Sequence, residues 1–272
     1  MIENLRFELS FKTIFELEKK LKFCLSNDIY KINIPCKGII KKKFLQEVVE
    51  YIHKNYSELD VVYHYSLYHE FCKNRNLSYS NFIEFLDNCS SDINDEILLI
   101  SGSNKRKNFE VVGVINDLKQ EKIKDIKIGI AYNPYLKKHY HLCEERERFE
   151  KKISTGLISS IWLQFGTDIS LLEYELDYLR KYIEDSGICD NNKNIKIFGS
   201  LLIPSRQFIA RFRFRPWKEV FIEEKYLSSL KLFDVFIKDL INFYIDNDIH
   251  PVIETECASI NKLEQIYNYF KK

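Results

Sequence analysis

Leu5-Arg6-Phe7-Glu8-Leu9, followed by a helix-like pattern from Ile14 to Leu25, is the first of eight strand–helix units along the chain. Tyr30-Lys31-Ile32-Asn33-Ile34 precedes a second helical pattern around Phe44 to His53. Val61-Val62-Tyr63-His64-Tyr65 precedes Phe82 to Leu86, with Ser78 or Ser80 placed to cap that helix. Ile97 to Ile100 leads to Phe109 through Leu118, and Ile126 to Ala131 leads to a charged helix from Cys143 to Ile153. Ile158 to Phe165 reads as a buried strand before a helix from Ser170 to Ile183. Ile195 to Ile203 is the next strand, then Pro204, then a longer helical region reaching Tyr244. Pro251 to Thr255 and a helix from Ile260 to Phe270 complete the series. Strands that alternate with helices imply parallel pairing, because a parallel neighbour needs a crossover connection. Eight such units in 272 residues predict an α/β fold, one (β/α)8 TIM barrel domain spanning 1–272; such barrels typically take ~250 residues. An open doubly wound sheet is the competing arrangement.

Lysine and arginine number 41 against 40 acids, for a net charge of +1. That balance supplies no basic stripe, so a nucleic-acid partner is not expected. The seven cysteines are dispersed without a C-x-x-C pair, which argues against a disulfide framework and for a reducing compartment. Met1-Ile2-Glu3-Asn4 opens without an apolar leader pattern, and no apolar run approaches the ~20 residues that span a bilayer. The expectation is a cytoplasmic protein without membrane contact. With only 8 glycines there is no dinucleotide fingerprint or P-loop. Any cofactor phosphate must then be held by side chains and helix N-termini.

A barrel carries its chemistry at the C-terminal ends of its strands. Those ends hold Glu8, Pro35, His64, Ser101-Gly102-Ser103, Tyr132-Asn133, Gln164 with Asp168, Pro204-Ser205-Arg206, and Glu254 with Glu256. Glu8 lies inside an apolar strand, where desolvation would raise its pKa and suit it to general acid work; otherwise it faces solvent or a lysine. His64 is either a catalytic group or a hydrogen-bonded core histidine. His139-Tyr140-His141-Leu142-Cys143 holds zinc-type ligands, but on a surface loop such spacing is weak, and no metal is expected. Arg211, Arg213 and Arg215 alternate with Phe212 and Phe214. On an extended segment they form one cationic side suited to a polycarboxylate, or they pair with Glu219, Glu223 and Glu224.

These strand ends resemble those of the methylenetetrahydrofolate reductase family, flavin-containing (β/α)8 barrels, in stretches from Leu5 to Glu256. Phe7-Glu8-Leu9 is similar to that family's opening Phe-Glu-Phe, whose glutamate is the proton donor. His64 in Tyr-His-Tyr-Ser matches a histidine that contacts flavin. Ile130-Ala131-Tyr132-Asn133-Pro134 resembles a segment whose tyrosine packs near the cofactor. Lys152, ahead of Ile-Ser-Thr-Gly156, matches a lysine reaching the flavin diphosphate. Gln164-Phe165 resembles a run whose glutamine binds the pterin.

The resemblance implies a catalytic Glu8 and flavin contacts at His64, Ser101, Tyr132 and Lys152. It places folate contacts at Gln164 and Ser103, with Arg211 and Arg213 open to the folate tail. The implied reaction reduces 5,10-methylenetetrahydrofolate to 5-methyltetrahydrofolate in one-carbon metabolism, with FAD and with NADH or NADPH as reductant. Three features depart from the family, one being a Gly156-to-Gln164 spacing one residue longer than usual. The fourth strand normally ends Leu-Arg-Gly-Asp, whereas here it reads Ile100-Ser101-Gly102-Ser103, and a flavin-contacting threonine is replaced by Pro35. A slow reductase, or one working as a homo-oligomer or with a partner subunit, is expected. The alternative is a folate-binding barrel, or a folate-linked methyltransferase, that has lost flavin.

Overall fold

The computed structural model describes residues 5–36, 42–67, 74–89, 95–101, 109–120, 127–136, 139–187, 194–217, 219–255 and 258–271. The strands are β1 (Arg6–Glu8), β2 (Lys31–Ile34), β3 (Asp60–Ser66), β4 (Glu96–Ile100), β5 (Lys127–Tyr132), β6 (Ile158–Leu163), β7 (Lys196–Leu202) and β8 (His250–Glu254). The helices are α1 (Ile14–Leu25), α2 (Lys42–Asn55), α3 (Arg75–Asn88), α4 (Val111–Gln120), α5 (His139–Ile153), α6 (Ile169–Asp185), α7 (Arg206–Phe214), α8 (Glu224–Ser228), α9 (Leu230–Asp246) and α10 (Ile260–Lys271). The strands form one closed barrel in chain order. Among the described residues no helix is long and apolar enough to cross a membrane.

Local chemistry sets the helix starts. Thr13 caps α1 by accepting from the Glu16 N–H at 3.2 Å, and the Glu16 carboxylate reaches back to the Lys12 N–H at 2.9 Å, a capping-box arrangement. Asp168 caps α6 by accepting from the Leu171 N–H at 3.0 Å. Ser205 caps α7 by accepting from the Phe208 N–H at 3.0 Å. These two strand-end residues therefore serve helix starts. The third helix begins at Arg75 with Asn74 as its cap, so neither Ser78 nor Ser80 has that role; Ser78 is buried inside the helix.

By contacts the chain divides into two units, Met1–Ile130 with Thr255–Lys272, and Ala131–Glu254. In the first, Tyr65 packs on Phe82 and Phe85 of α3, with ring centroids 5.1 and 4.5 Å away. Tyr63 meets His53 of α2. Successive strand residues face opposite ways, so Val62, His64 and Ser66 face inward. Register then carries Arg6, Glu8, Lys31, Asn33, Glu96 and Leu98 onto the same inner face. Phe7, Ile32 and Ile34 turn outward and are fully buried.

In the second unit Gly199 faces α9, where an added Cβ would lie 2.4 Å from the Tyr244 ring. Tyr244 is fully buried and donates to the Ser200 carbonyl at 3.1 Å, so the ring has nowhere to retreat. Overpacking of this kind costs about 1–3 kcal/mol. Gly199→Ala should lower the unfolding free energy by that amount, read as a lower urea midpoint at unchanged slope. With Gly199 outward, Phe198 and Ser200 face inward, as do their register neighbours Trp162 and His250.

Candidate functional site

The inner face of the first unit carries a connected polar cluster. Arg6 is 3% exposed, and a buried guanidinium needs partners for its donors. It donates to the Asp60 carboxylate at 2.6 Å, the Asn33 Oδ1 at 3.2 Å and the Ile32 carbonyl at 3.1 Å. Asn33 is fully buried, and its Nδ2 lies 3.0 Å from Nε2 of His64. Across the ring, His64 Nδ1 stands 3.9 Å from the Glu8 carboxylate. Glu8, the last residue of β1, is 5% exposed. Its backbone carbonyl accepts from the Thr255 hydroxyl at 2.5 Å, which ties the end of β1 to the chain leaving β8.

Glu8 and His64 are thus brought together, and Glu8 is buried rather than turned to solvent. Arg6, Asn33 and Asp60 were not singled out in the sequence. A detectable signal was present: Arg6 and Glu8 on β1, and Lys31 and Asn33 on β2, are polar at alternate positions within apolar strands. Period-two polarity of this kind marks one shared face.

The other expected site residues lie as follows. Ser101 is half-buried directly after β4; Ser103 lies outside the described residues. In the second unit, Gln164 follows β6 on the inward side, beside Trp162 in parity. Its backbone N–H donates to the Tyr132 carbonyl at 2.9 Å, and its Oε1 accepts from the Phe165 N–H at 3.3 Å. Tyr132 itself points into the helix layer. Its ring packs on Phe149 of α5 at 5.5 Å, and its hydroxyl donates to Glu175 of α6 at 2.5 Å. Burial, followed by Glu175, pushes that phenol well above its ordinary range, so it is a neutral donor. Lys152 is buried in the last turn of α5. It lies on the connection into the N-terminal edge of β6, whereas Gln164 follows the opposite edge.

The arginine segment is not extended. Residues 206–214 form α7, because Ser205 caps the helix and Phe208 and Phe212, four apart, bury on one side of it. At helical spacing the three arginines do not line one face, and Phe214 is 91% exposed. Arg211 is exposed, and Arg213 pairs with Glu224 at 2.8 Å, which is the ion-pair arrangement. The histidine-rich run is helical as well. His141 sits on α5, 3.7 Å from Glu144. Among the described residues no group of three or more His, Cys, Asp or Glu side chains is placed to hold a metal.

A flavin meets this set unevenly. His64 stands on the inner strand face, and Ser101 follows β4, one residue past the inward-facing Ile100. The Tyr132 side chain is committed to Phe149 and Glu175, and Lys152 is buried in the helix layer. The Tyr132 and Lys152 side chains therefore do not fit a flavin held at the strand ends, and no step is derived through that group.

An aromatic stack stands on the inner face of the second unit. Trp162 and Phe198 lie 4.0 Å apart, 7° from parallel, and His250 adjoins Phe198 at 5.2 Å. The indole N–H donates to the fully buried Ser160 hydroxyl at 2.6 Å. Its polar handle is thereby satisfied, as a buried Trp requires.

No family model and no curated protein matches the chain. Solved structures do. A thermostable aldo-keto reductase in complex with the inhibitor epalrestat matches at TM-score 0.53 and 13% identity, covering 100% of this chain and 90% of its own. An aldo/keto reductase from Klebsiella pneumoniae in complex with NADP and acetate matches at 0.51 and 12%, covering 100% and 87%. The active domain 2 of a thermostable chitinase from Pyrococcus furiosus, with chito-oligosaccharides, matches at 0.54 and 10%, covering 94% and 84%. Likeness at these identities establishes the fold alone, and fold does not carry function.

Proposed function

We propose that the chain is an acid–base barrel enzyme whose acid is Glu8, acting on a one-carbon unit carried by a folate. The observation that carries this reading is the buried Glu8 carboxylate beside His64 on the inner face of β1 and β3, at 3.9 Å. A carboxyl removed from water is suited to hold and release a proton at a reacting atom. Opening the methylene bridge of 5,10-methylenetetrahydrofolate consumes one proton: a carbon–nitrogen bond breaks, the departing nitrogen takes the proton, and an iminium ion is left. Hydride addition to that iminium then gives the methyl group, with NADH or NADPH as its proposed source. The assignment of a folate, and of Gln164 to the pterin, rests on the sequence resemblance.

A second reading is favoured by the placement of Tyr132 and Lys152. On it, the barrel binds a folate without flavin and transfers no hydride, either as a binding protein or as a methyltransferase. Purified protein separates the two. The reductase reading expects oxidation of NADH or NADPH that depends on added methylenetetrahydrofolate. A preparation that is colourless, takes up no added FAD and shows no such oxidation, yet binds the folate, supports the second reading. Absence of folate binding at substrate concentrations sinks both.

A further inference from the structure

We infer that Arg6 and Asn33 lock His64 into a single neutral tautomer, with its proton on Nδ1, so that the ring presents an N–H to Glu8. The chain of reasoning is one of donors and acceptors. Arg6 has only donors, so the Asn33 atom 3.2 Å from its Nη1 is the amide oxygen. That orientation is held, because the same guanidinium is anchored on Asp60 at 2.6 Å and on the Ile32 carbonyl at 3.1 Å. The other end of the Asn33 side chain is then an NH2 group, also only a donor, and it lies 3.0 Å from His64 Nε2. Two donors cannot share a hydrogen bond, so Nε2 must carry the lone pair. A neutral imidazole has one N–H, which falls on Nδ1, the nitrogen 3.9 Å from the Glu8 carboxylate.

Polarity set at Asp60 is thus handed through Arg6 and Asn33 to the ring, and every link runs between β1, β2 and β3. Asn33 is fully buried, so water does not offer its amide a competing partner. Second-sphere partners commonly fix a histidine tautomer in this way. Asn33 is a positioning residue, acting on Glu8 through His64. If Glu8 gives up its proton as proposed above, the carboxylate left behind faces a neutral N–H donor instead of a lone pair. That consequence rests on the proposed function; the tautomer does not.

The test is the nitrogen spectrum of the imidazoles in the full-length protein at pH 8, above the ordinary histidine pKa of ~6.5. His64 is assigned by the signals lost in His64→Gln. The expected result is a protonated Nδ1 and an unprotonated Nε2. Asn33→Asp replaces the NH2 by a second acceptor while keeping an oxygen for Arg6, so it should move the proton to Nε2 or protonate both nitrogens. A wild-type His64 protonated on Nε2 alone overturns the inference, as does an Asn33→Asp spectrum unchanged from wild type. The wild-type spectrum decides by itself if that variant does not fold. An Nδ1–H ring in a protein that turns over no folate leaves the inference standing and removes only the proposed substrate.

Discussion

Glu8→Gln should lower folate-dependent turnover by about 10²- to 10⁴-fold, the usual contribution of a positioned acid or base. The amide has nearly the shape of the carboxyl but no acidic proton, so the methylene bridge is left without its donor. Binding of the folate should survive, because it needs no proton from Glu8. The fold should survive too. The Thr255 hydroxyl bonds the Glu8 backbone carbonyl, which the substitution leaves in place. Steady-state assays and a folate-binding titration on the same preparation measure the two. Folate turnover at the wild-type rate would remove Glu8 from the mechanism, whatever the fold tolerates.

Arg146→Met should destabilise the protein by about 3 kcal/mol. Glu175 is fully buried in α6, and Arg146 of α5 meets it at 2.5 and 3.1 Å through two nitrogens. The Tyr132 hydroxyl donates to the same carboxylate. Removing the cation strands a carboxylate away from water, and breaking a buried pair from one side costs about 3–5 kcal/mol. The lower end applies because Arg146 is partly exposed, so solvent can approach where it stood. Tyr132→Phe, which removes one neutral donor and leaves the ion pair, should cost about 1–2 kcal/mol. The double variant Arg146→Met, Glu175→Leu should recover only part of the loss: an apolar pair of similar volume often replaces a buried ion pair without penalty, but the Tyr132 hydroxyl loses its acceptor, at about 1–3 kcal/mol. Urea midpoints of the three variants check the order. A double variant no better than Arg146→Met would mean that the unpaired Tyr132 hydroxyl and the lost packing against Tyr178, whose ring lies 4.1 Å from the guanidinium, together outweigh the charge.

The same residues show how far sequence reading reaches. Helix α1 runs from Ile14 to Leu25 as its periodicity predicts, because its cap, first-turn acid and apolar stripe are all local. The start of α3 was misread, because Ser and Asn both cap helices and only the fold selects Asn74 over Ser78. The arginine segment misled for a related reason. Alternating Arg and Phe is the signature of a strand, yet Ser205 and the pair Phe208 and Phe212 are equally a capped helix, and packing chose the helix. Tyr132 was legible as a strand-end residue but not as one facing outward. A one-residue change in where the strand ends reverses a side chain's direction.

What the sequence determined by itself is the order of eight strand–helix units, and with it the expectation of a barrel, since alternation of period two and period 3.6 is written in neighbouring residues. It also placed Glu8 and His64 at strand positions where a barrel does chemistry. Only the tertiary structure decided their partners. Arg6 finds Asn33 across 27 residues and Asp60 across 54, and Asn33 finds His64 across 31. Contacts over such separations depend on strand register and barrel closure, so no local pattern encodes them. The tautomer inferred for His64 follows from those contacts.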